Sequence, residues 1–170
     1  GDWSSDVCSS DLRFASGLKN GQREHMCSCL NISREGFTMQ NACENVRVLK
    51  AAGIEIVWYV GLILRLYMTI LTRPCSGTDT SNHLKGVMAG ASLLHELWLY
   101  VNRCGFTPLE ALKSATSVTA RRLQLPDRGR IQEGLKADLV LVKGDPTTSI
   151  DCVTDIVGVW RNGEKLARCT

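Results

Sequence analysis

Apolar residues recur three or four positions apart in two stretches of the chain, MQNACENVRVLKAA (39–52) and ASLLHELWLYVNR (91–103). This spacing predicts two amphipathic helices, each followed by a glycine that can end it, Gly53 and Gly105. A third helix is predicted to follow Thr107, because TPLE supplies an N-cap, a proline at the first helical position and the glutamate of a capping box. We expect it to end near Leu123. Its core-facing residues are expected to be Leu109, Leu112, Ala115, Thr116, Val118 and Ala120.

Shorter apolar runs between turn residues occupy the last quarter of the chain. ADLVLV (137–142) and IVGVW (156–160) are typical of strands, and the Asn-Gly at 162–163 is the pair preferred in a tight hairpin turn. GDP at 144–146 predicts a turn between the two strands. A further strand is expected to begin with IEI at 54–56. The pattern therefore indicates an α/β protein with a strand-rich end.

The most apolar window is IEIVWYVGLILRLYMTIL (54–71), which is about as long as a membrane-spanning helix. Arg65 and Glu55 oppose that interpretation, since each would cost about 2.5–3.5 kcal/mol at mid-bilayer. The alternatives are a genuine apolar insertion and a retained intron over about 57–75 that is translated in frame. We favour the intron, because AAGIEI before the run and SGTDTSN after it would join as one strand and its loop. A nucleotide sequence without splice signals at both ends would reject it.

The first 38 residues carry little information about the fold. Residues 2–12, DWSSDVCSSDL, reverse-translate into a sequence that resembles a common sequencing-library adapter. We therefore expect residues 1–12 to be an adapter-derived artefact, so that the natural N-terminus is not in this chain. Residues 13–38 are polar and aperiodic, and we predict that they form loop.

Composition narrows the class of protein. With 44% hydrophobic and 22% charged residues, the 170-residue chain is typical of a globular domain. The net charge of +3 is small and the basic residues are scattered, so the composition argues against nucleic-acid binding. Arg121 and Arg122 are interpreted as a solvated helix end. The eight cysteines are irregularly spaced and are interpreted as mostly reduced thiols of a cytoplasmic protein. His25, Cys27 and Cys29 would make half a zinc site, but no second ligand pair follows at suitable spacing.

Candidate chemistry centres on SGTDTSN (76–82), where a glycine permits a tight turn and a lone carboxylate, Asp79, comes after the apolar run. Barrels of alternating strands and helices keep their catalytic groups where a strand gives way to a loop, so Asp79 is a candidate catalytic residue. The alternative is an Asx-turn or a helix N-cap. His83 either faces the substrate or is an exposed loop histidine, and His95, inside a predicted helix, is interpreted as structural.

Five stretches together resemble a known family: GTDTSN, GASLLHEL, FTPLEALKSATSVTARRL, DRGRIQEGLKADLVLVKGDP and VWRNGE. In this order and spacing they resemble the C-terminal part of metal-dependent amidohydrolases, in particular the imidazolonepropionase-like and Xaa-Pro-dipeptidase-like group. The resemblance covers about 40–56 and 76–166. It implies the C-terminal part of a (β/α)8 TIM-like barrel, with the last barrel units over 39–126 and strands of a small β-sandwich over 127–170.

The resemblance also implies a role for Asp79. This residue matches the family's aspartate at the end of the last barrel strand, which contacts the catalytic metal, expected to be zinc, and acts as general base toward the metal-bound water. The family's site also uses a His-x-His pair, a carboxylated Lys or a Glu, and two further histidines. The three histidines of this chain, His25, His83 and His95, form no His-x-His pair.

We therefore expect a fragment of a metal-dependent hydrolase of C–N bonds in amides, cyclic amides or dipeptides, inactive on its own. Its expected partners are a small-molecule amide or dipeptide substrate and further copies of itself. We expect it to bind neither nucleic acid nor a membrane. Two rival hypotheses are a membrane-anchored protein spanning at 54–71 and a non-catalytic interaction module. Because an incomplete barrel exposes apolar surface and an unpaired strand edge, the isolated chain is expected to aggregate.

Overall fold

The computed structural model describes residues 39–58, 75–76 and 91–167. The elements in the first two stretches are helix α1 (Met39–Ala51) and the two-residue strands β1 (Val57–Trp58) and β2 (Cys75–Ser76). They are followed by helices α2 (Ala91–Asn102), α3 (Pro108–Lys113) and α4 (Thr119–Arg122), with a π-helical turn (Ser114–Val118) between the last two. Strand β3 (Leu139–Val142), a 3-10 turn (Ile150–Thr154) and strands β4 (Ile156–Arg161) and β5 (Glu164–Lys165) complete the order.

Helices α1 and α2 confirm the predictions for 39–52 and 91–103, and each ends at a glycine in the left-handed region. Gly53 has a φ of +70° and Gly105 a φ of +73°. Behind them, the amide of Ile54 donates to the Leu49 carbonyl, and that of Phe106 donates to the Tyr100 carbonyl at 2.9 Å. Left-handed residues of this kind satisfy the last carbonyls of a helix, and glycine adopts them without a Cβ penalty.

The predicted capping box is also confirmed. The Thr107 hydroxyl accepts from the Glu110 amide at 3.2 Å, and the Glu110 carboxylate accepts from the Thr107 amide at 2.8 Å. From Pro108 the chain is helical without a break through residue 122, because α3, the π-helical turn and α4 follow one another directly.

The predicted inward face of this long helix is confirmed in part. Ala120 is buried, and Leu112 and Ala115 pack against the core, whereas Leu109 is 46% exposed and Thr116 is also exposed. Ala111 and Ser114, which were not predicted to face inward, are buried. A π-helical turn widens the helix by one residue, so a strict 3.6-residue period does not hold across it.

The C-terminal strands form an antiparallel sheet in the order β3–β4–β5. Leu139 pairs with Trp160, and the register shifts between Leu141 and Val142. The Asn-Gly turn at 162–163 has φ values of +52° and +84°, as a tight hairpin of this type requires, which confirms the prediction. The backbone amide of Asn162 donates to the Asp138 carboxylate at 2.9 Å, and this bond ties the hairpin to the start of β3.

The core lies where α1, α2 and α3 meet the 3-10 turn. Its buried members are Cys43, Ile56, Leu97, Tyr100, Cys104, Ala111, Ile150 and Val153. The Tyr100 and Phe106 rings stack within it with centroids 5.1 Å apart. This cluster joins the helical part of the chain to the segment that precedes β4, so both parts depend on the same buried contacts.

The strand predicted to begin at 54–56 begins later, at Val57. Ile56 is buried in the core and Glu55 is paired with arginines, so both side chains are engaged before the extended segment starts. β1 and β2 pair in parallel, with Val57 opposite Cys75. Most of the apolar run lies outside the described residues, and among those described no helix is long and apolar enough to cross a bilayer.

Lys50 and Glu110 connect α1 to α3, and this contact leads to a prediction. The Lys50 ammonium lies 2.9 Å from the Glu110 carboxylate, which with the Thr107 bonds lowers the pKa of Glu110 to about 2. Stability from this carboxylate is therefore present above about pH 4.5 and is lost as pH falls toward 2. The carboxylate is 47% exposed, so screening reduces the effect, and Glu110→Gln is expected to lower the free energy of unfolding by about 1 kcal/mol at pH 7.

Denaturant unfolding at pH 7, 4 and 2.5 tests this expectation. The difference between the original chain and Glu110→Gln should shrink as the pH falls, whereas Glu133→Gln, in an exposed loop, should show little difference at any pH. A difference that stays constant down to pH 2.5 would contradict an electrostatic origin.

Candidate active site

The two residues predicted for the site, Asp79 and His83, lie outside the described residues. Strand β2 ends at Ser76, so Asp79 follows the end of a strand by three positions in the sequence. β2 lies parallel to β1, which is the strand arrangement of an α/β barrel. The assignment of Asp79 as catalytic residue and metal ligand, and of His83 as substrate-binding, stays a prediction.

Helix α2 contains the remaining predicted candidate, His95. Its ring stacks with that of Trp98, with centroids 6.0 Å apart, as expected for a structural histidine. On the same helix the Tyr100 hydroxyl donates to the Glu96 carboxylate at 2.8 Å. Both contacts join side chains on neighbouring turns of α2.

A cluster of charges not singled out by the sequence lies at the end of the long helix. Arg121 and Arg122 both pair with Glu55, whose Oε2 accepts from the Arg122 Nε at 2.6 Å. The hydrogen bond from Arg121, followed by that from Arg122, lowers the pKa of Glu55 although burial acts in the opposite direction. The arginines are thus ion-paired rather than a freely solvated helix end. They anchor the segment before β1 to α4, and because Glu55 and Arg121 are separated by 66 positions in the sequence, no local pattern reveals this pairing.

Beside this cluster is a cleft of about 440 Å³ with arginines on its walls, Arg121, Arg128 and Arg130. Arg128 donates to Asp127 at 3.1 Å and to Asp138 at 3.2 Å. Its guanidinium, with Lys136, lowers the pKa of Asp127 to about 2. Because two of the three arginines are already neutralised by carboxylates, the cleft is better explained as a structural ion-pair network than as a catalytic centre.

Carboxylate and imidazole ligands would be needed to hold the expected metal. Across 39–58, 75–76 and 91–167, no three or more His, Cys, Asp or Glu side chains come together in a way that could bind one. Zinc in a catalytic site takes about three protein ligands. Asp79 offers a suitable oxygen donor, and the rest of any such site is not among the described side chains.

These features define a mixed helix-and-strand protein in which a short parallel pair and three helices precede an antiparallel sheet. A family model described as "Amidohydrolase family" matches residues 26–166. The chain belongs to the amidohydrolase family. Membership implies a TIM-barrel fold, and the match spans both sides of the apolar run.

Two sequence relatives are informative. Over 93 residues the chain is 32% identical to an ochratoxinase of Aspergillus niger, a match that covers 52% of this chain and 18% of that protein. Over 63 residues it is 43% identical to an adenine deaminase of Lysinibacillus sphaericus, with 37% of this chain and 10% of that protein covered. The chain thus spans less than a fifth of the length of the relatives it matches.

A solved structure agrees with the family assignment. The crystal structure of a Xaa-Pro dipeptidase with bound methionine in its active site superposes with a TM-score of 0.57 and 25% identity, covering 75% of this chain and 26% of that one. Another amidohydrolase structure, at 21% identity and a TM-score of 0.52, supports the fold alone. The resemblance to metal-dependent amidohydrolases expected from the sequence is thereby confirmed.

Proposed function

We propose that this chain is the C-terminal part of a metal-dependent hydrolase that cleaves a C–N bond in a small amide, cyclic amide or dipeptide. The family match over 26–166 carries the proposal, because it includes Asp79 and the helices that follow it. The relatives are named for reactions of this broad kind, an ochratoxinase, an adenine deaminase and a Xaa-Pro dipeptidase. The rest of the barrel and its metal ligands belong to the part of the relatives that this chain does not cover.

In the proposed mechanism Asp79 moves the proton. Asp79 is the residue of this chain that would hold the divalent metal, which we propose to be zinc, and a bound metal would supply an activated water for hydrolysis. The Asp79 carboxylate would accept a proton from the attacking water and release it to the departing amine nitrogen. We assign substrate binding to His83, four positions further along the chain.

The described elements next to Asp79 in the sequence support this role. β2 precedes it and α2 follows it along the chain, and α2 is fixed to the core through Leu97 and Tyr100, which are 6% and 3% exposed. The antiparallel sheet β3–β4–β5 belongs to a small β-sandwich beside the barrel. We further propose a cytoplasmic enzyme whose isolated C-terminal part is inactive, because a single carboxylate cannot hold a catalytic metal.

The proposal is tested by joining this chain to the coding region found upstream of residue 13 in the genome and purifying the longer protein. We expect it to bind about one or two zinc ions and to release amine from an N-acyl amino acid or an Xaa-Pro dipeptide. Chelation should abolish the activity and zinc should restore it, whereas the 170-residue chain should stay at the buffer rate. A longer protein that binds zinc stoichiometrically but hydrolyses neither substrate class would refute the proposed reaction.

A further inference from the structure

Two thiols from distant parts of the sequence meet in the core. Cys43 lies on α1 and Cys104 directly follows α2, and they are 7% and 3% exposed. Both are free thiols. They belong to the same buried cluster, in which the Cys43 thiol is a neighbour of the Cys104 thiol.

The backbone on either side of this pair is held by independent contacts. The Cys104 amide donates to the Leu99 carbonyl at 3.1 Å, which fixes the turn after α2. Lys50, two turns along α1 from Cys43, donates to the Gly105 carbonyl at 2.6 Å and lies 4.5 Å from the centroid of the Phe106 ring. The two thiols are therefore brought together by the packing of α1 against this turn. That packing exists before any oxidation of the thiols.

The charges around the pair distinguish the two sulfurs. Burial, together with the neighbouring Cys43 thiol, raises the pKa of Cys104 to about 12. Glu96 acts in the same direction, and the Arg47 guanidinium, one turn after Cys43 on α1, acts in the opposite one. Cys104 consequently stays protonated near neutral pH, and we assign the first attack on an oxidant to the other thiol of the pair, Cys43.

We propose that Cys43 and Cys104 form an oxidation site in which a peroxide converts the buried thiol pair into a disulfide between α1 and the turn after α2. Peroxide is small enough to reach a thiol that is only slightly exposed. The Cys43 sulfur attacks one oxygen of hydrogen peroxide, the O–O bond breaks, and the departing hydroxide leaves as water with the Cys43 proton, giving a sulfenic acid on Cys43. The Cys104 sulfur then attacks the Cys43 sulfur and displaces hydroxide, which leaves as water with the Cys104 proton.

Overall, two thiols and one hydrogen peroxide give one disulfide and two waters. The bond requires the sulfurs to approach to about 2.05 Å, so rotation of the two side chains has to close the remaining gap. The closed loop contains the whole of 54–71 and Asp79. Cross-linking its ends restricts the unfolded chain, so the oxidised form is expected to melt at a temperature about 5–10 °C higher.

Peptide mapping of the reduced, purified 170-residue chain tests the proposal. After brief exposure to hydrogen peroxide and blocking of remaining thiols, trypsin should yield peptide 35–47 linked to peptide 104–113 as the main disulfide product. The same exposure in 6 M guanidinium should spread Cys43 among the other cysteines. Reduction with dithiothreitol should remove both the linked peptide and the gain in melting temperature.

Three variants make the outcome specific. Cys152→Ala, which removes a half-buried thiol elsewhere in the fold, should leave the linked peptide unchanged. In Cys104→Ala, dimedone should capture a sulfenic acid on Cys43, and Cys43→Ala should give no such adduct on Cys104. The proposal is overturned if peptides 35–47 and 104–113 are both recovered unlinked after peroxide in native buffer, or if the linkage forms equally well in guanidinium.

Discussion

Asp79→Asn in the longer, zinc-loaded hydrolase is expected to lower kcat by about 10²–10⁴-fold. The amide keeps the size and shape of the carboxylate but cannot accept the proton of the attacking water or return it to the leaving amine. KM for an N-acyl amino acid or dipeptide should change much less, because the substitution removes an interaction that is made only in the transition state. Steady-state kinetics with the metal content of each preparation measured in parallel would provide the test.

A matched carboxylate provides the control. Asp145 lies in an exposed turn, where its Oδ1 accepts from the Thr147 amide at 2.9 Å, and it has no role in the proposed mechanism. Asp145→Asn should keep kcat within about twofold. If Asp79→Asn retains full activity with its zinc in place, Asp79 is an ordinary turn residue and the proposed proton transfer is wrong. If it loses zinc as well as activity, its role as a metal ligand is supported.

Local signals in the sequence were sufficient for the helices and the hairpin. The Thr107–Glu110 capping box and the Asn-Gly turn depend on contacts within a few residues, so residue type and spacing alone determine them. The glycines that end α1 and α2 belong to the same category, because the left-handed conformation strongly favours glycine. These are the parts of the fold in which prediction and structure agree most closely.

Features that depend on distant contacts were not predictable in the same way. Thr116, which was predicted to face inward, is exposed in the π-helical turn at Ser114–Val118, and no property of SATSV alone distinguishes this turn from ordinary helix. Glu55 is paired with arginines more than sixty residues away, and no local pattern indicates these partners.

The candidate site could be predicted only through the resemblance of several ordered motifs to a family. The family match confirms that resemblance, whereas the role of Asp79 stays a prediction. A single carboxylate after a strand is also a common turn residue, so residue type by itself could not separate the two roles. The chemistry of the site depends on several residues acting together, so Asp79 alone is not enough to predict it.

Gly129→Ala is expected to be among the most destabilising single substitutions in the described part of the chain, lowering the free energy of unfolding by about 2–5 kcal/mol. Gly129 has a φ of +85°, and an added Cβ would lie 2.4 Å from the Ala120 Cβ and 2.9 Å from the Thr116 carbonyl oxygen. Both are rigid atoms of the long helix, so the loop or the helix itself would have to move. Denaturant unfolding of the two chains at one protein concentration would measure the loss.

Gly134→Ala separates backbone strain from the contact with the helix. Gly134 has a nearly equal φ of +83°, but nothing lies within 4 Å of its added Cβ, so only the strain of about 1–2 kcal/mol should appear. In an Ala120→Gly background the cost of Gly129→Ala should fall, because the shortest contact is removed while that with Thr116 remains. Equal losses for Gly129→Ala and Gly134→Ala, with no coupling to Ala120, would mean that the loop does not rest against the helix.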